Sequence, residues 1–257
     1  MDIEEVRGLL DHKYNSYNQS SFIDLDPVSI PHKFTDSRDI EIAGFWTAML
    51  SWGQRKTIIN KATQLCDLMD NAPYEFIMNH RESDLARFEV FKHRTFNGDD
   101  ALCFIHFFKE YYSQHDSLEE LFVSEGKELL SVYQGITQLN DFFRSCPYFL
   151  PRTGKHVAQA AKNSSCKRIN MFLRWMVRQD ARGVDFGIWK TMSPSLLMIP
   201  LDIHVYRVAR KLGLLSRDKT DWKSVVELTE NLRVLDPLDP VKYDYALFGM
   251  GVLNDDF

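Results

Sequence analysis

An all-α fold is predicted by three features of the 257-residue sequence. Apolar residues recur at helical rather than alternating spacing almost everywhere. The segments carrying that spacing are separated by proline, glycine and asparagine breaks. The composition, 44 per cent hydrophobic and 26 per cent charged, is that of a folded globular protein and excludes disordered and collagen-like architectures. An aromatic content of 13 per cent supplies large side chains for a core. The length admits one large domain or two smaller lobes.

The first helix is marked by the stripe Ile3, Val6, Leu9, Leu10 and Tyr14. Residues 23–34 then carry two prolines, each restricting the residue before it. They read as an extended connection ending at Thr35 or Asp36 as a helix cap. Helical spacing runs from about Asp39 to Met69 with a break at Gly53, and further helices are predicted at about 73–79, 99–114, 117–124 and 134–145. From Pro147 to Ser165 the chain is polar and small-residue-rich. The clearest helix follows in CKRINMFLRWMVRQD, where Ile169, Phe172, Leu173, Met176 and Val177 form a buried stripe, with Ser164 or Ser165 available as cap. Its other face carries Lys167, Arg174 and Arg178. A loop with one helical turn leads to Asp202, which opens a helix that Gly213 closes; helices at about 221–233 and 240–250 complete the pattern.

Cys66, Cys103, Cys146 and Cys166 lie far apart without a C-x-x-C pair, so no zinc or iron–sulfur site is indicated and reduced thiols are expected. The acidic N-terminal segment has no apolar signal core, and no stretch approaches a membrane span. A cytoplasmic protein without membrane contact is expected, nucleoid-associated when acting. The net charge of -5 argues against nucleic acid as partner. Its distribution argues the opposite. Residues 151–183 hold eight basic side chains against the single acid Asp180, a local +7, which leaves -12 for the remainder. A second window, Arg207 to Lys219, sets five bases against Asp218. A basic face on an acidic body fits a polyanionic partner, while solvated helix faces are the plainer explanation.

Asp202 on spacing alone is an ordinary helix N-cap. The run IPLDIHVYRVARKLGL (Ile199 to Leu214), however, resembles the helix bearing the catalytic aspartate in the helix-hairpin-helix DNA glycosylase superfamily, which includes endonuclease III and the 8-oxoguanine glycosylases. Upstream, IAGFWTAMLSWGQRKTIINKATQL (Ile42 to Leu65) resembles the endonuclease III segment IAxxLSAQxxDxxxNKATxxL, in the same order along the chain. The overall pattern is similar to a bacterial family within or beside that superfamily, marked by CKRINMFLRWMVR, GIWK and PLDIH.

The resemblance implies a two-lobed helical fold with an interlobe cleft. Residues 1–39 and 166–257 would build one lobe and 40–165 a helical barrel lobe. It implies excision of an oxidised or otherwise altered base, 8-oxoguanine-like, from double-stranded DNA by a monomer. Asp202 would stabilise oxocarbenium character on the sugar. A lysine amine would attack C1′ and permit β-elimination, giving lyase activity. Lys167 is favoured as that lysine. Lys155, in LPRTGKHVA (Leu150 to Ala158), is the runner-up, because this stretch echoes the family's LPGVGxKTA hairpin, which is missing from its usual place before the aspartate. Gln54 and Arg55 would probe the gap left by the extruded base. Arg168, Arg174, Arg178, His204 and Arg207 would contact DNA, with His204 alternatively a structural histidine. Trp175, Trp189 and Phe149 would stack on the flipped base. No cofactor, metal or iron–sulfur cluster is expected, since the chain stops at Phe257, where that module would start. The alternative from another class is a protein of the same fold that binds damaged or distorted DNA without catalysis; action on a nucleoside or RNA is a third.

Overall fold

The computed structural model describes residues 2–124 and 128–253, and it is all-α apart from one short hairpin. The helices are α1 (Ile3–Tyr17), α2 (Ser37–Leu50), α3 (Arg55–Leu68), α4 (Pro73–Asn79), α5 (Glu82–Leu85), α6 (Gly98–Tyr112), α7 (Val132–Ser145), α8 (Lys167–Val177), α9 (Ile203–Lys211), α10 (Trp222–Leu235) and α11 (Tyr243–Leu253). The antiparallel pair β1 (Lys92–His93) and β2 (Phe96–Asn97) precedes α6. Two residues per strand are too few to show a period of two, so the hairpin is invisible to pattern reading. Residues 118–122 form a 3₁₀ turn rather than the expected α-helix. No described helix is long and apolar enough to cross a membrane.

Contacts divide the chain into two compact units, one of Met1–Asp24, Ser131–Tyr133 and Gln159–Phe257, the other of Leu25–Leu130 and Gln134–Ala158. Residues after Asp24 go with the second unit because Ile30 is buried in a cluster with Ala43 of α2 and Ala62 and Cys66 of α3. The second unit has an aromatic core in which Phe45 and Trp46 of α2 meet Phe104, Phe107 and Phe108 of α6 at ring separations of 5.0–6.0 Å. Inside it, the buried Glu41 carboxylate accepts hydrogen bonds from the Tyr112 hydroxyl (2.7 Å), the Ser117 hydroxyl (2.5 Å) and the Leu118 amide (2.9 Å). A buried carboxylate persists only when its lone pairs are filled in this way.

The first unit is organised on α11. Gly249 meets the Tyr17 ring of α1, and Gly251 meets the backbone and Cβ of His204 in α9. A Cβ at either glycine would lie 2.4–3.0 Å from those atoms, so the absence of side chains is what lets α1 and α9 approach. On α8, the expected polar face is buried instead. Arg174 and Arg178 are only 4 and 1 per cent exposed. Arg174 pairs with Asp185 at 3.3 Å and with Asp244 of α11. Arg178 binds Asp180 (2.7 Å), Asp185 (3.2 Å) and Asp239 (2.9 Å), and donates to the Tyr14 hydroxyl of α1 (2.6 Å). Burial works against the Arg178 charge, but Asp185 and Asp239 outweigh it and push its pKa above the ordinary value.

Two buried guanidinium groups surrounded by carboxylates are costly to disrupt, because removing one leaves unpaired charges in the interior. Arg178→Ala is expected to lower unfolding free energy by about 3–5 kcal/mol in guanidinium titrations. Arg178→Lys should recover less than half, since an ammonium cannot reproduce the planar fork. Full recovery by lysine would show that charge alone, and not geometry, holds this network.

Candidate functional site

Asp202 ends a buried run, Leu197 to Leu201, and caps α9 as its sequence requires. Its Oδ1 accepts both the His204 amide (2.8 Å) and the Val205 amide (3.0 Å). Oδ2 has no hydrogen-bond partner among the described residues. One carboxylate oxygen is therefore held by the backbone amides and the other is not. The His204 side chain is engaged elsewhere: Nδ1 lies 3.0 Å from the Gly251 carbonyl, to which Arg207 also donates at 3.2 Å. His204 therefore orients Asp202 through its backbone amide, while its ring ties α9 to the end of α11.

Lys167 stands in the first turn of α8, half-buried, with Nζ 3.5 Å from Met171 Sδ. The expected serine cap is replaced. Cys166 takes the cap position in the left-handed region (φ 49°), and Ser164 accepts the Cys166 amide at 3.3 Å. One turn on, the buried Asn170 donates to the Ser165 carbonyl (3.1 Å), while its Oδ1 has no partner among the described residues. Lys167, Asn170 and Arg174 share a face of α8 by their spacing of three and seven.

What connects Lys167 to Asp202 is Asp244. Asp244 is a lone acid in an otherwise apolar helix and is missing from the sequence-based expectations, although an acid between Tyr243 and Tyr245 is a signal in its own right. Burial raises its pKa to about 6. Arg174 opposes the rise, Asp202 adds to it, Lys167 opposes it and Asp185 adds to it. Both candidate catalytic groups thus lie within electrostatic reach of one buried carboxyl. Lys155, the runner-up, is exposed and belongs to the second unit, whereas Asp202 belongs to the first.

Other expectations are corrected. Arg174 and Arg178 cannot serve as DNA contacts, because buried carboxylates occupy them. Trp175 is fully buried and Trp189 only 2 per cent exposed, packed edge-on against Phe172 at 5.5 Å. Their rings fill the core of the first unit and offer no face to a base. Phe149 is half-buried in the second unit, edge-on to Phe143 with the Arg144 guanidinium 5.2 Å above its ring. Arg168 is half-buried on α8, and burial draws its pKa down to about 10. Arg207 is exposed. Gln54 is exposed at the cap of α3 without a side-chain cap bond, behind Gly53 at φ 107°, and Arg55 beside it is half-buried. Among the described residues no group of three or more His, Cys, Asp or Glu is placed to hold a metal. All four cysteines are buried, and burial pushes the Cys66, Cys146 and Cys166 thiols up to about 12.

Asp244 is therefore a reporter for the pair. A carbon-13 titration of its carboxyl is expected to show a midpoint near 6, lower in Asp202→Asn and higher in Lys167→Ala. Because the folded state holds this proton more tightly than the unfolded chain, its contribution to stability is present below 3.8 and lost as pH rises through about 6. A midpoint indifferent to both substitutions would separate the two residues.

Residues 26–253 match the family model described as "Protein of unknown function (DUF2400)". Neither a curated protein nor a solved structure matches the chain. With nearly the whole length covered by that match, the chain belongs to the DUF2400 family.

Proposed function

We propose that this protein is a DNA base-excision glycosylase that removes an oxidised or otherwise altered base, with an accompanying lyase step. The observation that carries the reading is the half-satisfied Asp202 carboxylate at the start of α9, sharing the neighbourhood of Asp244 with Lys167. Cleavage of an N-glycosidic bond develops positive charge on the deoxyribose. A fixed carboxylate stabilises that charge without reorganising as it forms. The backbone bonds to Oδ1 supply the fixing, and Oδ2 supplies the open acceptor.

In the deprotonated state the Lys167 amine attacks C1′. The bond to the base breaks, its electron pair leaves with the base, and the base takes up a proton from solvent. The amine proton released in this step goes to Asp202 Oδ2. Asp202 returns that proton to O4′ as the C1′–O4′ bond breaks and the aminal opens to the Schiff base. Loss of a C2′ proton to solvent then permits β-elimination of the 3′ phosphate. Asp202 and Lys167 both belong to the first unit. Gln54, at its glycine-broken helix start, remains the candidate for probing the helix gap, and Phe149 for stacking. Arg168 and Arg207 remain candidates for phosphate contact.

Borohydride trapping on duplexes carrying 8-oxoguanine, uracil or an abasic site tests this reading. A covalent complex is expected with the native protein and none with Lys167→Ala. Asp202→Asn should lower base release by about 10²–10³-fold. Binding to these duplexes with neither trapping nor base release would assign the protein to recognition of distorted DNA without catalysis. Trapping that persists in Lys167→Ala and vanishes in Lys155→Ala would move the nucleophile to the other unit.

A further inference from the structure

The second unit contains a cavity of about 510 Å³ between the β1–β2 hairpin and the Arg152–Lys155 turn. Its volume falls in the range of ligand-holding clefts, roughly 300–1,000 Å³. Four cations line it, Lys92, Arg94, Arg152 and Lys155, against the single acid Glu89. Arg152 is held in place, bonded to Asn97 Oδ1 (2.6 Å) and paired with the buried Asp100 (2.7 Å). Asp100 in turn accepts from the Thr153 hydroxyl (2.6 Å) and lies 3.4 Å from His156 Nε2; burial alone would raise its pKa, but these bonds hold it at about 2. The wall of the cavity is thus built on a fixed, ionised group.

The side chains of Lys92, Arg94 and Lys155 make no hydrogen bond or ion pair among the described residues. Three exposed like charges converging on one concavity repel one another, and an anion there relieves that repulsion. Arg94 also occupies the left-handed region at the hairpin turn (φ 55°), a conformation that favours glycine. Arginine there carries a backbone strain that glycine would not. Its guanidinium fills the space beside Gly53, 2.8 Å from where a Cβ would sit, and so abuts the turn that carries Gln54.

From this geometry we propose that the cavity is a phosphate-binding site for the backbone of duplex DNA. The choice of DNA as the source of the phosphate rests on the proposed function. The cations that make the site are not those of the basic helix singled out by charge counting: Arg174 and Arg178 are turned inward, while Lys92 and Arg94 come from a segment outside both basic windows.

The test is equilibrium binding of an undamaged duplex, measured by fluorescence anisotropy across a salt series, for the native protein and for Lys92→Gln/Arg94→Gly. Glycine at 94 removes the charge and relaxes the backbone, so an unchanged or raised melting temperature accompanies the expected loss of binding. The slope of log K against log salt should fall by about 0.9 for each lost phosphate contact, with a weakening on the order of tenfold or more at 0.1 M salt. Equal slopes and affinities would overturn the site, as would failure of the native protein to bind duplex at all. If inorganic phosphate raises the melting temperature of the native protein alone while duplex affinities are equal, the cavity takes a free oxyanion and the DNA assignment falls. Absence of base release from a duplex that still binds in an Arg94-dependent way would remove the glycosylase reading and leave this site standing.

Discussion

Burial of two arginines at the end of one helix is the constraint on which the first unit depends. Arg174 on α8 and Arg178 at its C-cap, one turn apart, are buried, and a guanidinium cannot shed its charge as a lysine can. The fold must therefore bring carboxylates to them. Asp185 comes from the loop after α8, Asp239 from the turn before α11, and Asp244 from α11 itself. Tyr14 adds a hydroxyl from α1. Hydrophobic contact would tolerate several rotations of α11 against α8; a fork of directional bonds selects one. That orientation places Gly251 against His204, and through it sets the start of α9, where Asp202 sits.

The same network decides what the charge distribution means. Counting bases over residues 151–183 suggests a continuous cationic face, yet part of that charge is neutralised inside the protein. In the second window Arg210 pairs with Asp218 at 2.9 Å and Arg217 with Asp221 at 3.0 Å. Lys92, Arg94 and Lys155, which make no ion pair among the described residues, gather instead around the hairpin of the second unit, beside the Arg152 that Asp100 neutralises. Local charge is a property of the sequence, but field is a property of arrangement, and the two diverge wherever a basic residue finds an internal carboxylate.

The candidate site shows a comparable division. Asp202 is legible because helix capping is a local event, decided by a side chain and the amides two and three residues ahead. Lys167 is legible as the start of a strongly patterned helix. Asp244 is hidden because its importance comes from proximity to groups far away in the chain; it is 70 residues from Arg174. Trp175 and Trp189 are ambiguous in sequence for a related reason. A large aromatic suits both a base-stacking wall and a core, and only burial distinguishes them.

By itself the sequence determined the helical class, the positions of most helices, the Gly53 break and the cap at Asp202, since each follows from spacing or from contacts within one turn of chain. Membership of α8 residues in one face was equally determined. Tertiary structure decided what that face meets, turning a presumed DNA-binding surface into a buried ion-pair network. It also decided where the remaining positive charge collects, because periodicity records which side chains point together and contains no information about the distant groups that pack opposite them.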